Sequence, residues 1–63
     1  MITATGILVP DFIHQGARCQ WYSESKGVIL HGTVKSIGEG VCVMTVERGG
    51  YERIVRFPDL THA

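Results

Sequence analysis

Residues 27 to 57, GVILHGTVKSIGEGVCVMTVERGGYERIVRF, set two glycine-bearing turns between runs of β-branched residues. Glycine supplies the positive φ that a tight hairpin needs, and the flanking runs alternate with the period of a strand. Val28 to Ile37 and Val41 to Glu47 therefore form a hairpin around Gly38-Glu39-Gly40. If Ile37 faces Val41, one face of the hairpin carries Val28, Leu30, Val34, Cys42, Met44 and Val46, with Gly32 among them. That is the expected core face. The other face carries Ile29, His31, Thr33, Lys35, Ile37, Val41, Val43, Thr45 and Glu47. Such a mixture suits the solvent side of an antiparallel sheet.

Arg48-Gly49-Gly50 supplies the second turn. A loop of two or four residues there keeps Val55 and Phe57 on the core side, whereas a loop of three would turn Glu52 and Arg56 inward with Ile54. Burying charge is the costlier choice, so the first register is expected. It points Arg53 toward the core, from which the guanidinium must reach the rim or a carboxylate. Pro58 ends the ladder, and Leu60 closes one end of the core.

Upstream, Ile2 to Val9 has strand composition despite Gly6 and is stopped by Pro10. A turn is expected at Gly16, followed by a half-buried strand with Ala17, Cys19 and Trp21 inside and Tyr22 outside. Residues 23 to 27, SESKG, read as a loop. No ten-residue stretch has helical periodicity. The expectation is one all-β domain over residues 1–63.

At this length a core alone is marginal, since only about 60% of the unfolded chain's surface is buried on folding. The chain is 44% hydrophobic, which favours oligomerisation as the source of further stability. Six basic and six acidic residues cancel, so no overall field attracts phosphate backbones or anionic membranes. Cys19 and Cys42 are too few for a disulfide framework and are expected to be buried free thiols. The opening MITATGILVPDF lacks a positive leader and is interrupted by Pro10 and Asp11, so no secretion signal is expected. No apolar run approaches the roughly 20 residues that span a bilayer. The expected location is cytoplasmic.

His14, His31 and His62 are separated by 17 and 31 positions, and neither cysteine stands near them in the paired spacing of a metal site. His31 is expected on the solvated outer face. Ser23, Ser25 and Ser36 have no surrounding nucleophile motif, and Cys42 is expected in the core. The glycines at 38, 40, 49 and 50 belong to hairpins and precede no helix, which removes a phosphate-binding loop. No catalytic residue, cofactor or metal is expected.

Gly16, Gly32, Val34, Val43, Val55, Phe57, Asp59 and Leu60, spread over residues 15 to 60, resemble the spacing of a small SH3-like barrel of four to five antiparallel strands. Barrels of this architecture include KOW and Tudor-type modules, peptide-binding SH3 domains and the plasmid-encoded trimethoprim-resistant dihydrofolate reductase. That reductase carries valine, glutamine, isoleucine and tyrosine before a proline. Residues 54 to 58 here read IVRFP, with Val55 at the glutamine's place, so the polar contact to cofactor and pterin is lost. The fold by itself assigns no function.

The apolar residues Ile29, Val41, Val43 and Ile54 are expected to form a patch on the outer face, with Lys35, Arg56 and His31 around it. Contiguous apolar surface marks interfaces, and arginine is enriched there. The sequence thus predicts a noncatalytic interaction module that binds a protein partner or itself through Lys35, Val43, Ile54 and Arg56, with Tyr22 as a loop anchor. The alternative is a nucleic-acid binder in which Lys35, Arg48, Arg53 and Arg56 meet phosphate and Tyr22 or Tyr51 stacks on a base. An oligomeric reductase ranks third.

Overall fold

The computed structural model describes residues 2–63, and its elements are all short and extended. Five strands form one antiparallel sheet: β1 (Arg18–Ser23), β2 (Val28–Ile37), β3 (Val41–Val46), β4 (Glu52–Arg56) and β5 (Thr61–His62). A 3-10 turn, Phe57–Asp59, links the last two, with Pro58 where an amide donor is dispensable. The spatial order is β4-β3-β2-β1-β5, so β1 to β4 are a meander and β5 returns to pair with β1. No ladder joins β4 to β5 among the described residues, so the sheet does not close into the expected barrel. The all-β class stands. No helix among the described residues is long and apolar enough to cross a membrane.

Both glycine turns fall where the sequence puts them. Gly40 has φ +81°, and Gly49 and Gly50 have φ +100° and +66°. The Val46 amide donates to the Tyr51 carbonyl at 2.7 Å, which makes residues 47 to 50 a four-residue loop. Val55 and Phe57 consequently join the core, and Ile54 faces out. The core also holds Cys19, Trp21, Val34, Cys42, Met44, Val46 and Leu60. The two cysteines are free and buried.

Five further expectations are corrected. Ile2 to Val9 is not a strand. It makes a single bridge between Ile2 and Leu8 around a turn, with Gly6 at φ +86°. From this turn the chain drops Val9 and Ile13 into the core, at 2% exposure each, and covers one end of the sheet. Val28 is exposed, because it pairs with Ser23 at the open tip of the β1–β2 hairpin, beyond the reach of the core.

Ile37 does not face Val41. The pairing steps from Val34↔Met44 to Ser36↔Val43, so Lys35 is the extra residue of a bulge and Ile37 pairs with Cys42 on the core side. Finally, the outer apolar patch is divided. Ile29 pairs with Tyr22 at one end, Val43 pairs with Ile54 at the other, and the Thr33–Thr45 pair lies between them. Arg18 bridges to Glu47 through two bonds of 2.8 and 3.0 Å across this middle region. The Gln20 amide oxygen lies 3.0 Å from Nε2 of half-buried His31, which is more covered than a free surface position.

Candidate functional site

The meander curls until the tip of the β1–β2 hairpin faces β4 across a cleft of about 320 Å³. Its floor is Trp21, Leu30 and Val55, all on the core side of their strands. Two exposed apolar side chains flank it: Tyr22, 60% exposed, from β1 and Ile54, 73% exposed, from β4. Polar groups complete the rim. Ser23, Glu24 and Ser25 come from the hairpin tip, Arg53 and Arg56 from β4, and Asp59 from the 3-10 turn.

Of the residues expected to make contacts, Tyr22, Ile54 and Arg56 meet at this cleft. Val43 stands beside Ile54 as its cross-strand partner on the outer face. Lys35, lifted by the bulge, is ion-paired with Glu52 at the near end of β4. Arg56 Nε donates to Asp59 Oδ2 at 3.3 Å. Arg53 solves its inward register by emerging at the rim, where its guanidinium lies 5.5 Å from the centre of the Tyr51 ring.

A strap fixes the cleft's mouth. Lys26 Nζ, from the hairpin tip, donates to the Tyr51 hydroxyl at 2.6 Å and sits 4.7 Å from the ring centre. That hydrogen bond favours phenolate and holds the Tyr51 phenol below its ordinary range. No local signal marks the strap, because Lys26 and Tyr51 lie in different turns that only the curl of the sheet brings together. Trp21 and Asp59 also line the cleft without a local signal for it, whereas Arg53 reaches the rim as its register requires. Strand positions are readable from the sequence, but the approach of β4 to the hairpin tip is not.

One edge of β4 is open. The Tyr51 carbonyl accepts from Val46, and the Phe57 amide donates to Gly40 at 3.0 Å, so the odd-numbered residues between them hydrogen-bond toward β3. Glu52, Ile54 and Arg56 turn their N–H and C=O groups the other way, and no hydrogen-bond partner meets those groups among the described residues.

The cleft's lining contains no histidine or cysteine, and its serine hydroxyls, Ser23 and Ser25, lie 3.3 Å from each other. Elsewhere, no group of three or more histidine, cysteine, aspartate or glutamate side chains is placed to hold a metal ion among the described residues. A second hollow, about 390 Å³, lies between Val28–His31 and Val46–Arg48; it holds Arg48, expected to meet phosphate in the nucleic-acid reading, and Ile29 and His31 of the outer face, but none of Tyr22, Lys35, Val43, Ile54 and Arg56. What the first cleft offers is an apolar floor, aromatic and β-branched walls, paired charges at the rim and an unpaired strand edge. Comparison with protein-family models, curated proteins and solved structures finds no match to the chain.

Proposed function

We propose that this chain is a noncatalytic protein-interaction module, and that its contact site is the cleft beside β4 together with the adjoining outer face at Val43 and Lys35. The observation that carries this reading is the meeting of Tyr22, Ile54 and Arg56 at one apolar-floored cleft. Exposed apolar side chains around a concave floor gain by excluding water, and the arginine rim adds directional contacts. The order of the meander, the 3-10 turn and the return of β5 to β1 support a likeness to small SH3-like modules, several of which bind peptides. The buried free thiols suit a reducing compartment such as the cytoplasm.

The nucleic-acid reading has less support. Lys35 and Arg56 are already paired with Glu52 and Asp59, and Tyr51 is occupied by Lys26 and Arg53. A phosphate-driven complex would weaken steeply with salt. Reductase chemistry has less support still, since Val55, at the place of that family's glutamine, is buried in the cleft floor.

The test is to pan a random-peptide library on the chain, with the Tyr22→Ala/Ile54→Glu variant as the counter-selection. Enriched peptides should shift the amide resonances of Tyr22, Ile54 and Arg56 and fail to bind the variant. Peptides that bind both proteins equally would overturn the assignment of the site.

A further inference from the structure

We infer that the partner at β4 is a second copy of this chain, joined edge to edge by antiparallel pairing of the two β4 strands about a two-fold axis at Ile54. The inference rests on the reading of β4 and its cleft as a protein-contact site, and it names the occupant.

Three observations lead to it. The first is that the edge is continuous and unpaired: neither proline nor a bulge interrupts β4, and its one charge of inward register, Arg53, emerges at the rim beside Tyr51. Sheet edges in monomers are commonly blunted by proline, a bulge, inward charge or extreme shortness. At the other edge β5 has only two residues. The bulge at Lys35 lies in β2, inside the sheet, and Pro58 comes after β4 has ended. The centre of β4 carries instead a β-branched side chain that is 73% exposed.

The second is register. Glu52, Ile54 and Arg56 are the residues whose backbone groups point away from β3. In an antiparallel pair centred on Ile54, each of them meets another outward-pointing residue: 54 opposite 54, and 52 opposite 56 on both sides of the axis. Each such pair exchanges both of its N–H···O bonds. No slip is needed to satisfy the open edge.

The third is charge. The same register sets Glu52 of one copy against Arg56 of the other, twice, with the two Ile54 side chains between them. Opposite charges and apolar pairs directly across a ladder are favourable, and like charges there are not. Within each chain Glu52 is already bound to Lys35 and Arg56 to Asp59. Pairing would extend these into an alternating row of Lys35, Glu52, then Arg56 and Asp59 of the second copy. A β4 edge of this sequence is complementary to itself. The side of each added strand that carries Arg53 and Val55 would face the cleft.

The experiment is light scattering on a size-exclusion column across a range of loading concentrations, for the wild type and for the charge variants Glu52→Arg and Arg56→Glu. The wild type should approach twice the chain mass of 6.9 kDa as concentration rises. Each variant alone should be monomeric, since like charges then face each other across the axis. An equimolar mixture of the two should recover the dimer mass, because the introduced arginine at 52 then meets the introduced glutamate at 56 in one pair, and the native Arg56 meets the native Glu52 in the other. A wild type that is monomeric throughout overturns the inference. It leaves the peptide-panning test, run on that monomer, to judge the contact site itself. A dimer that persists in both variants also overturns it, by placing self-association elsewhere. Should the variants fail to fold, hydrogen exchange on the wild type decides. The amides of Glu52, Ile54 and Arg56 should gain at least tenfold protection as concentration rises, and unchanged exchange would refute the pairing.

Discussion

The indole of Trp21 lies against the backbone of Gly32, so closely that a β-carbon there would come within 3.1 Å of its Cη2 atom and 2.5 Å of the Thr45 carbonyl oxygen. The contact explains a glycine in the middle of the longest strand, where it otherwise weakens a sheet. Without it the cleft floor would have no room for the indole. Gly32→Ala should therefore destabilise the fold by about 1–3 kcal/mol through overpacking. The chain has one tryptophan, so its fluorescence in a urea titration reads both the loss and any displacement of the ring.

Ile13 belongs to an irregular segment, yet it is as buried as the strand residues around it. Ile13→Ala should cost about 2–5 kcal/mol, the usual range for truncating a buried isoleucine. For a domain of this length total stability is on the order of 3–9 kcal/mol. The substitution thus removes a large share of the stability, and a lowered midpoint in circular dichroism melting would measure it. A loss below 1 kcal/mol would mean that the segment does not pack on the sheet.

Ile54→Glu should leave the fold intact, because the side chain is exposed and surface changes of this kind usually stay within about 0.5 kcal/mol. It should abolish association through β4. Parallel thermal melts and concentration-dependent light scattering separate the two effects. Unfolding of the variant would contradict the outward register of β4.

Burial, with a smaller contribution from Cys19, pushes the Cys42 thiol up to about 11. The unfolded thiol ionises near pH 8.5–9, so above that range the unfolded state loses its proton first and stability falls. The contribution is complete below about pH 8.5 and disappears as pH rises through about 11, a loss on the order of 2–3 kcal/mol. Tyr51 acts in the opposite sense, since its lowered pKa favours the folded state as the phenol ionises. Urea midpoints from pH 7 to about 10.5 in a Tyr51→Phe background should isolate the thiol effect. A midpoint that does not change with pH would contradict the burial of Cys42.

Removing the strap should release the phenol. In Lys26→Met the Tyr51 pKa is expected to rise toward its ordinary value, because the hydrogen bond and the nearby charge that favour phenolate are both lost. Ultraviolet titration of wild type, Lys26→Met and Tyr51→Phe assigns the transition. An unchanged titration would mean that Lys26 does not hold Tyr51 in solution.

The parts of the fold that were legible in the sequence have a local cause. Gly40, Gly49 and Gly50 mark turns because other residues resist positive φ, and the burial of Val55 and Phe57 follows from the cost of turning Glu52 and Arg56 inward. Tyr22 and Ile54 face out because strand side chains alternate. The missed parts depend on distant groups. Strand-like composition in Ile2–Val9 lost to a turn at Gly6 whose value lies in carrying Val9 and Ile13 over the core. The bulge at Lys35 reverses alternation for Ile37, and nothing in the local pattern announces it.

The sequence by itself determined an all-β chain, its two glycine turns, the register of its last hairpin and the outward direction of Tyr22, Ile54 and Arg56. Each follows from backbone sterics, period-two alternation or the cost of burying charge, which act over a few residues. Tertiary structure decided that these side chains meet at one cleft, that Lys26 straps Tyr51, and that β4 keeps an open edge. Those features depend on how far the sheet curls and where it stops short of closing. They join residues far apart in the chain, as do the packing of Trp21 on Gly32 and the burial of Val9 and Ile13 from the N-terminal segment.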